Sequence, residues 1–423
     1  MPEGMQKPSK RKFEAEQALH QERWEAKAEK AADKGVLRRI IERGAPDKTA
    51  DDFMREEAGR DNDHFDKLKH PEYAEYLKQL KVVLDNLKEK RDNPDADVRA
   101  VLFGMGAGMR IPYGIGEVIG LDEMHIDAET FSALYGSSAS SALMLYYAAG
   151  SKALRKGGAM VCENLATPDF ISMAKAHARE IVNLRVFKTE MEEGDKRLDE
   201  ADMETIRNSS PDINIVVTHP AERGKEIKTE FLDAKTIPNM ADGVRASMSI
   251  DYVTGEIPTI NGIEYRDGSF NPMPIEQIID DYERKHGTPP TDMLVLVNTP
   301  FETRDEFQLS RGEKAGVALA KNIGSLTQIE KFLLMREALR KSLEYARDVK
   351  ERRGVNVGIV WPPDMNLGTL TINSKDMKAA AFESAREMIN ISGEKQPDEI
   401  AWHVSDRDDL KQAIEQYKQT KAA

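Results

Sequence analysis

From Val98 onward the sequence alternates short apolar runs with longer helical stretches, and that alternation restricts the fold more than any other feature. VRAVLFG (98–104) reads as a buried strand running into glycines, EVIGLDEMHI (117–126) as a helix, FSALYG (131–136) as a second strand and SALMLYYAAGSKALRK (141–156) as one helix. INIVVTHP (213–220) reads as a strand, ADGVRASMSI (241–250) as a helix, and GEIPTINGIEYRDG (255–268) as a hairpin turning at Asn261-Gly262. MLVLVNTP (293–300) is a buried strand, 311–351 a long helical stretch, VNVGIVWPP (355–363) a last strand and SKDMKAAAFESAREMIN (374–390) a last long helix. Strands alternating with helices predict an α/β fold with a mostly parallel sheet covered on both faces.

Residues 1–96 differ in character, being rich in Lys, Glu, Ala and Asp without a convincing strand. Tyr73, Leu77, Leu80, Leu84 and Leu87 recur at alternating steps of four and three, the spacing of one apolar stripe on a helix. FEAEQALHQERWEAKAEKAADK (13–34) also looks helical, with a thin apolar face, and NPDAD (93–97) breaks the pattern. The expected organisation is a charged helical N-terminal extension (1–96), a core (97–300) and a C-terminal part (301–423) that completes the core. The extension either packs on its own domain or offers itself to a protein partner or a membrane. The break at NPDAD predicts that a chain begun near Asp97 folds without it.

Composition narrows the function classes. A formal charge of −13 over 423 residues argues against general nucleic-acid binding, which needs a basic footprint. The single cysteine, Cys162, excludes an intramolecular disulfide and a cysteine-based zinc cage. Neither an HxxxH nor a DxDxDG pattern occurs, so neither a metal nor another cofactor is expected. No apolar run approaches the ~20 residues that cross a bilayer, and the N-terminus has no apolar h-region. A cytoplasmic protein, at most peripheral at a membrane, is the expectation.

Three short segments carry chemistry. In ALYGSSASS (133–141) a strand runs through a tight turn into a helix, the arrangement that holds a nucleophilic serine exposed above a sheet and demands small residues two before and two after it. Ser138 meets that demand, with Gly136 before and Ser140 after, whereas Ser137 and Ser141 do not. A serine-rich helix N-cap explains the same run. FGMGAGMR (103–110) fails the dinucleotide fingerprint, because the third glycine position falls on Met109 or Ile111. The other use of such a loop is an oxyanion hole, with the N–H groups of Gly106, Ala107, Gly108 and Met109 little obstructed. A tight turn alone remains the simpler reading of it. RDGSF (266–270) ends the hairpin and puts Asp267 at a strand end, where α/β sheets carry their chemistry; a loop aspartate bonding its own backbone is the alternative.

In that order the segments resemble the patatin-like phospholipase family: GAGMR (106–110) its glycine-rich oxyanion loop with a trailing basic residue, GSSAS (136–140) its G-x-S-x-G elbow, and DGS (267–269) its Asp-Gly-Gly/Ala motif. GEVIGLDEMHID, LYYAAG, VRASMSI and the ING hairpin are similar to the family's connecting text, so the resemblance covers roughly residues 98–300. Ala107, Ile111, Ser140, Ser269 and Asp251 depart from the family's residues. The resemblance implies a three-layer sandwich and a lipid acyl hydrolase of phospholipase A or esterase type, acting on lipid at a membrane or micelle surface. It implies Ser138 as nucleophile and Asp267 as proton acceptor, with Gly136, Ser140 and Gly268 shaping the turns. Arg110 is then a candidate contact for lipid phosphate, or a solvated arginine.

Two other readings stay open. A Ser-His-Asp triad would need one of His177, His219, His286 or His403, none of which sits in a recognisable triad context. A non-catalytic lipid-binding or scaffolding protein could keep the fold while its extension recruits a partner.

Overall fold

The computed structural model describes residues 70–172, 180–220, 227–250, 253–255, 257–299, 301, 328–363, 367 and 372–394. The 13–34 helix, His177, Asp251, His403 and the 311–327 part of the long helical stretch lie outside the described residues.

Among the described residues the first helix, α1, runs Pro71–Asp92. It is followed by β1 (Ala100–Gly104), α2 (Pro112–Glu123), β2 (Ala133–Ser137), α3 (Ala139–Ala148), α4 (Ser151–Ala159), α5 (Leu184–Glu192), α6 (Glu200–Asn208), β3 (Asp212–Thr218) and β4 (Thr229–Asp233). Then come α7 (Met240–Ser247), β5 (Thr259–Ile260), β6 (Ile263–Glu264), β7 (Arg266–Asp267), α8 (Ile275–His286), β8 (Asp292–Leu296), α9 (Gln328–Arg353), β9 (Asn356–Val360) and α10 (Ser374–Ser392). One sheet takes the order β4-β3-β2-β1-β8-β9, with β7 also paired to β3. The β3–β2, β2–β1, β1–β8 and β8–β9 pairs are parallel, and only β4 and β7 run against β3. The mixed α/β architecture with a mostly parallel central sheet agrees with the alternation in the sequence.

β1 (AVLFG) and β8 (DMLVL) are buried along their whole length. Successive side chains of a strand point to opposite faces, and the core divides accordingly. Leu102, Leu134, Ile213, Ile215 and Leu294 pack with α2, α3, α7 and α10. Val101, Phe103, Tyr135, Val295 and Ile359 pack with α8 and α9. Helices therefore lie on both faces of the sheet.

The stripe on α1 packs inward: Tyr73, Tyr76, Leu80, Val83, Leu84 and Leu87 are buried against the protein. The helix packs against β9, the last strand in the order of the sheet, where Leu80 and Val83 lie over Gly358. Asn86 Nδ2 donates to Asp292 Oδ1 at 2.7 Å, tying α1 to the first residue of β8. For residues 71–92, packing on its own domain is thus what the helix does.

Two expectations need correction. The single helix read over 141–156 is two, α3 and α4, because Gly150 takes φ +97°, a conformation no helix can continue through. The hairpin turns at Asn261-Gly262, where both φ angles are positive, but its second strand changes partner at Tyr265, so that Arg266 and Asp267 join β3 of the main sheet. Among the described residues no helix is long and apolar enough to cross a membrane.

Candidate active site

The chain leaves β1 for β2 on one side and later returns to place β8 on the other. Open α/β sheets carry ligand sites at such a switch, outside the carboxyl ends of the strands. Gly104 of β1 is level with Gly136 of β2, so the turns after both strands open side by side.

Ser138 occupies the turn after β2 with φ +54° and ψ −129°. A residue with a Cβ rarely adopts that conformation, and it persists only where the surroundings hold it. Here Ser138 N donates to Ser247 Oγ at 2.7 Å, and Ser247 Oγ donates to Val216 O at 2.6 Å. Gly136 supplies the close approach: a Cβ there would lie 2.5 Å from Ser140 O and from Ser141 Cα. Ser138 sits at the N-cap position of α3, yet its side chain makes no cap bond. Its Oγ donates instead to Asp267 Oδ2 at 2.8 Å.

Asp267 arrives from the opposite direction. As part of β7 it pairs antiparallel with Val217, which brings it to the carboxyl end of β3. Its N–H donates to Ser249 O at 2.8 Å, and Thr218 Oγ1 donates to its carbonyl at 3.0 Å. Asp267 is 2% exposed, and its Oδ1 accepts the Ser269 N–H at 2.7 Å. Burial pushes its pKa up from 3.8 to about 6, against the opposing pull of hydrogen bonds from Ser269 and Ser138. Gly268 packs so tightly that a Cβ would come within 2.6 Å of Ser137 Oγ.

The glycine loop lies over this pair. A Cβ on Gly106 would fall 3.0 Å from Ser138 Cβ and 1.9 Å from Ser269 Oγ, so only glycine fits. Gly108 has φ +54° and opens a short 3-10 turn through Met109 and Arg110. Among the described residues, no hydrogen bond uses the N–H groups of Gly106, Ala107, Gly108 or Met109. The same holds for Ala139, the first residue of α3 and the one after Ser138, which the sequence reading missed. Donors left open beside a buried hydroxyl–carboxylate pair can receive a negative charge developing on a substrate oxygen.

The other serines of ALYGSSASS have separate partners. Ser140 Oγ donates to Met105 O at 2.7 Å, and Ser141 Oγ donates to Ser138 O. Ser137 Oγ is buried with no hydrogen-bond partner among the described residues. Arg110 Nε donates to Leu367 O at 2.8 Å, so this side chain holds a neighbouring segment. His219 Nε2 lies 2.6 Å from Glu230 Oε2 and His286 Nε2 lies 3.1 Å from Asp212 Oδ2. Neither takes the position next to Ser138 Oγ that Asp267 holds. Ser247, Ser249 and Thr218, which support the site, were not singled out as site residues by the sequence, because each engages a backbone group distant along the chain.

The sequence matches no protein-family model and no curated protein. Among solved structures, the crystal structure of VipD from Legionella pneumophila aligns over 70% of this chain and 67% of that one, at 10% identity and a TM-score of 0.33. A likeness that slight assigns neither fold nor function.

Proposed function

We propose that this chain is a carboxylic ester hydrolase of patatin-like type, a three-layer sandwich that cleaves acyl esters of lipids through Ser138 and Asp267. The observation that carries the reading is the 2.8 Å bond from Ser138 Oγ to the buried Asp267 Oδ2, made by a serine held at positive φ. Support for an acyl substrate comes from the loop beside it, where Met105, Ala107, Met109 and Ile111 are all buried and apolar. The three segments that resemble the patatin-like family are the ones that meet here.

The chemistry divides into two half-reactions. Ser138 Oγ attacks the ester carbonyl as Asp267 accepts its proton, and the C=O π pair moves onto oxygen. The resulting oxyanion takes hydrogen bonds from the N–H groups at Gly106–Met109 and at Ala139. Collapse breaks the C–O bond, and the alcohol leaves with the proton from Asp267. Asp267 then deprotonates water, whose attack on the acyl-serine returns the acid and frees Ser138. A carboxylate is a weak base for an alcohol at its ordinary pKa of 3.8, and a pKa raised to about 6 narrows the gap while leaving the group ionised at neutral pH.

The enzyme would act at a membrane or micelle surface from the cytoplasmic side, with residues 1–96 as the element open to a protein partner. The test is hydrolysis of a short-chain nitrophenyl ester. Ser138→Ala should lose about a thousandfold or more in rate, while Ser137→Ala and Ser141→Ala keep most of it. Equal losses at Ser137 and Ser138 remove the assignment, and a wild-type protein inert to every ester favours the non-catalytic lipid-binding reading.

A further inference from the structure

Ser140, which stands where the elbow pattern has glycine, donates to a carbonyl that a second buried side chain also holds. Met105 O accepts from Ser140 Oγ at 2.7 Å and from Asn298 Nδ2 at 2.6 Å. Asn298 and Ser140 are both 0% exposed. The orientation of the Asn298 amide is set at its other end, because Oδ1 accepts the Gly114 N–H at 2.8 Å and leaves Nδ2 as the donor. Asn298 thus joins the segment after β8, the first turn of α2 and the glycine loop.

Planarity gives this bracket its consequence. Met105 N donates to Leu296 O of β8, and Met105 O turns to Asn298 beyond the same strand. The peptide that follows is planar and trans, so the Gly106 N–H points opposite to the Met105 carbonyl. That direction is away from both Asn298 and Ser140, and Ser138 lies against Gly106. We infer that Asn298 and Ser140 are positioning residues that hold the Met105–Gly106 peptide so that the Gly106 N–H faces the oxygen of an ester attacked by Ser138. The chemical consequence rests on the hydrolase reading, whereas the bracket itself does not. Serine in place of the elbow's glycine is then a gain: it adds a second donor to a carbonyl that would otherwise rest on Asn298 alone.

The experiment uses the full chain with Ser140→Ala, Ser140→Gly and Asn298→Asp. The last is nearly isosteric and keeps an acceptor for Gly114 while losing the donor. Three quantities are read: kcat and KM on a nitrophenyl ester, affinity for an alkyl boronic acid that mimics the tetrahedral adduct, and the 15N–1H resonance of Gly106. Removing a whole oxyanion donor typically costs 10²–10³ in kcat, so loosening one should cost about three- to tenfold for Ser140→Ala and about ten- to a hundredfold for Asn298→Asp. KM should stay within about threefold, and boronate affinity should fall in step with kcat. Rates within twofold of wild type in variants that melt normally overturn the inference, as does a loss confined to KM. Should Asn298→Asp fail to fold, the two Ser140 variants decide it. Should wild-type protein hydrolyse no ester, the hydrolase reading falls and the Gly106 resonance decides alone. A displaced or faster-exchanging amide in Ser140→Ala upholds the bracket, and an unchanged one overturns it.

Discussion

At the scale of single residues the dyad makes a signed prediction about pH. Asp267 has a folded pKa raised from 3.8 to about 6, so the folded protein binds more protons than the unfolded chain between those values. Its contribution to stability is therefore full below about pH 4 and is lost as pH rises through about 6. Ionising it costs up to roughly 3 kcal/mol by that shift. Asp267→Asn should melt a few degrees higher than wild type at pH 8, and the difference should vanish near pH 4; calorimetry across that range checks it. Activity runs the opposite way, since only the carboxylate accepts the proton, and the rate should climb with an apparent pKa near 6. The Ser269 N–H that donates to Asp267 survives in Ser269→Ala, so only the smaller downward pull of its hydroxyl is lost and the acid limb of the pH–rate profile should move slightly upward. A profile that stays put or moves down contradicts this. Ser138 was legible in the sequence because small flanks on both sides singled it out among four serines. The part played by Ser140 was not, because its partners, Met105 and Asn298, lie 35 and 158 residues away along the chain.

At the scale of elements, α1 is where the sequence reading and the packing diverge most usefully. The periodic stripe was plain, but nothing local showed that Leu80, Val83, Leu84 and Leu87 join the core beside the sheet. We propose that the folding unit begins with α1 and not at residue 97. A chain begun at Asp97 would uncover β9 and should aggregate, while one begun at His70 should stay soluble and melt cooperatively. Leu84→Ala, with its side chain fully buried, should cost about 2–5 kcal/mol in a denaturant titration. A soluble, cooperatively melting chain from Asp97 would restore the separable arm. α8 shows a signal that was present and not used: Ile275, Ile278, Ile279 and Tyr282 are buried at helical spacing, and Gly287 closes the helix in the left-handed conformation. β7, at two residues, has no signature of its own, since its place depends on β3 offering an edge.

Across the whole molecule, the sheet order is what turns separate segments into a site. Ser138 and Asp267 stand 129 residues apart and meet because β2 and β3 are parallel neighbours and β7 runs back along the end of β3. The order of motifs along the chain made the meeting legible; the direct contact of Asp267 with the Ser138 hydroxyl was not, because no local pattern records what fills the space beside a hydroxyl. His286 pairs with Asp212, at the opposite end of β3 from Asp267, and His219 is engaged with Glu230. The most direct measurement is the steady-state hydrolysis rate of one nitrophenyl ester by folded wild type, Asp267→Asn, and the single alanine variants of His177, His219, His286 and His403. The dyad predicts that Asp267→Asn is as inactive as Ser138→Ala while every histidine variant stays within roughly tenfold of wild type, a barrier change of ~1.4 kcal/mol. An active Asp267→Asn, or one histidine variant that folds and is dead, contradicts it.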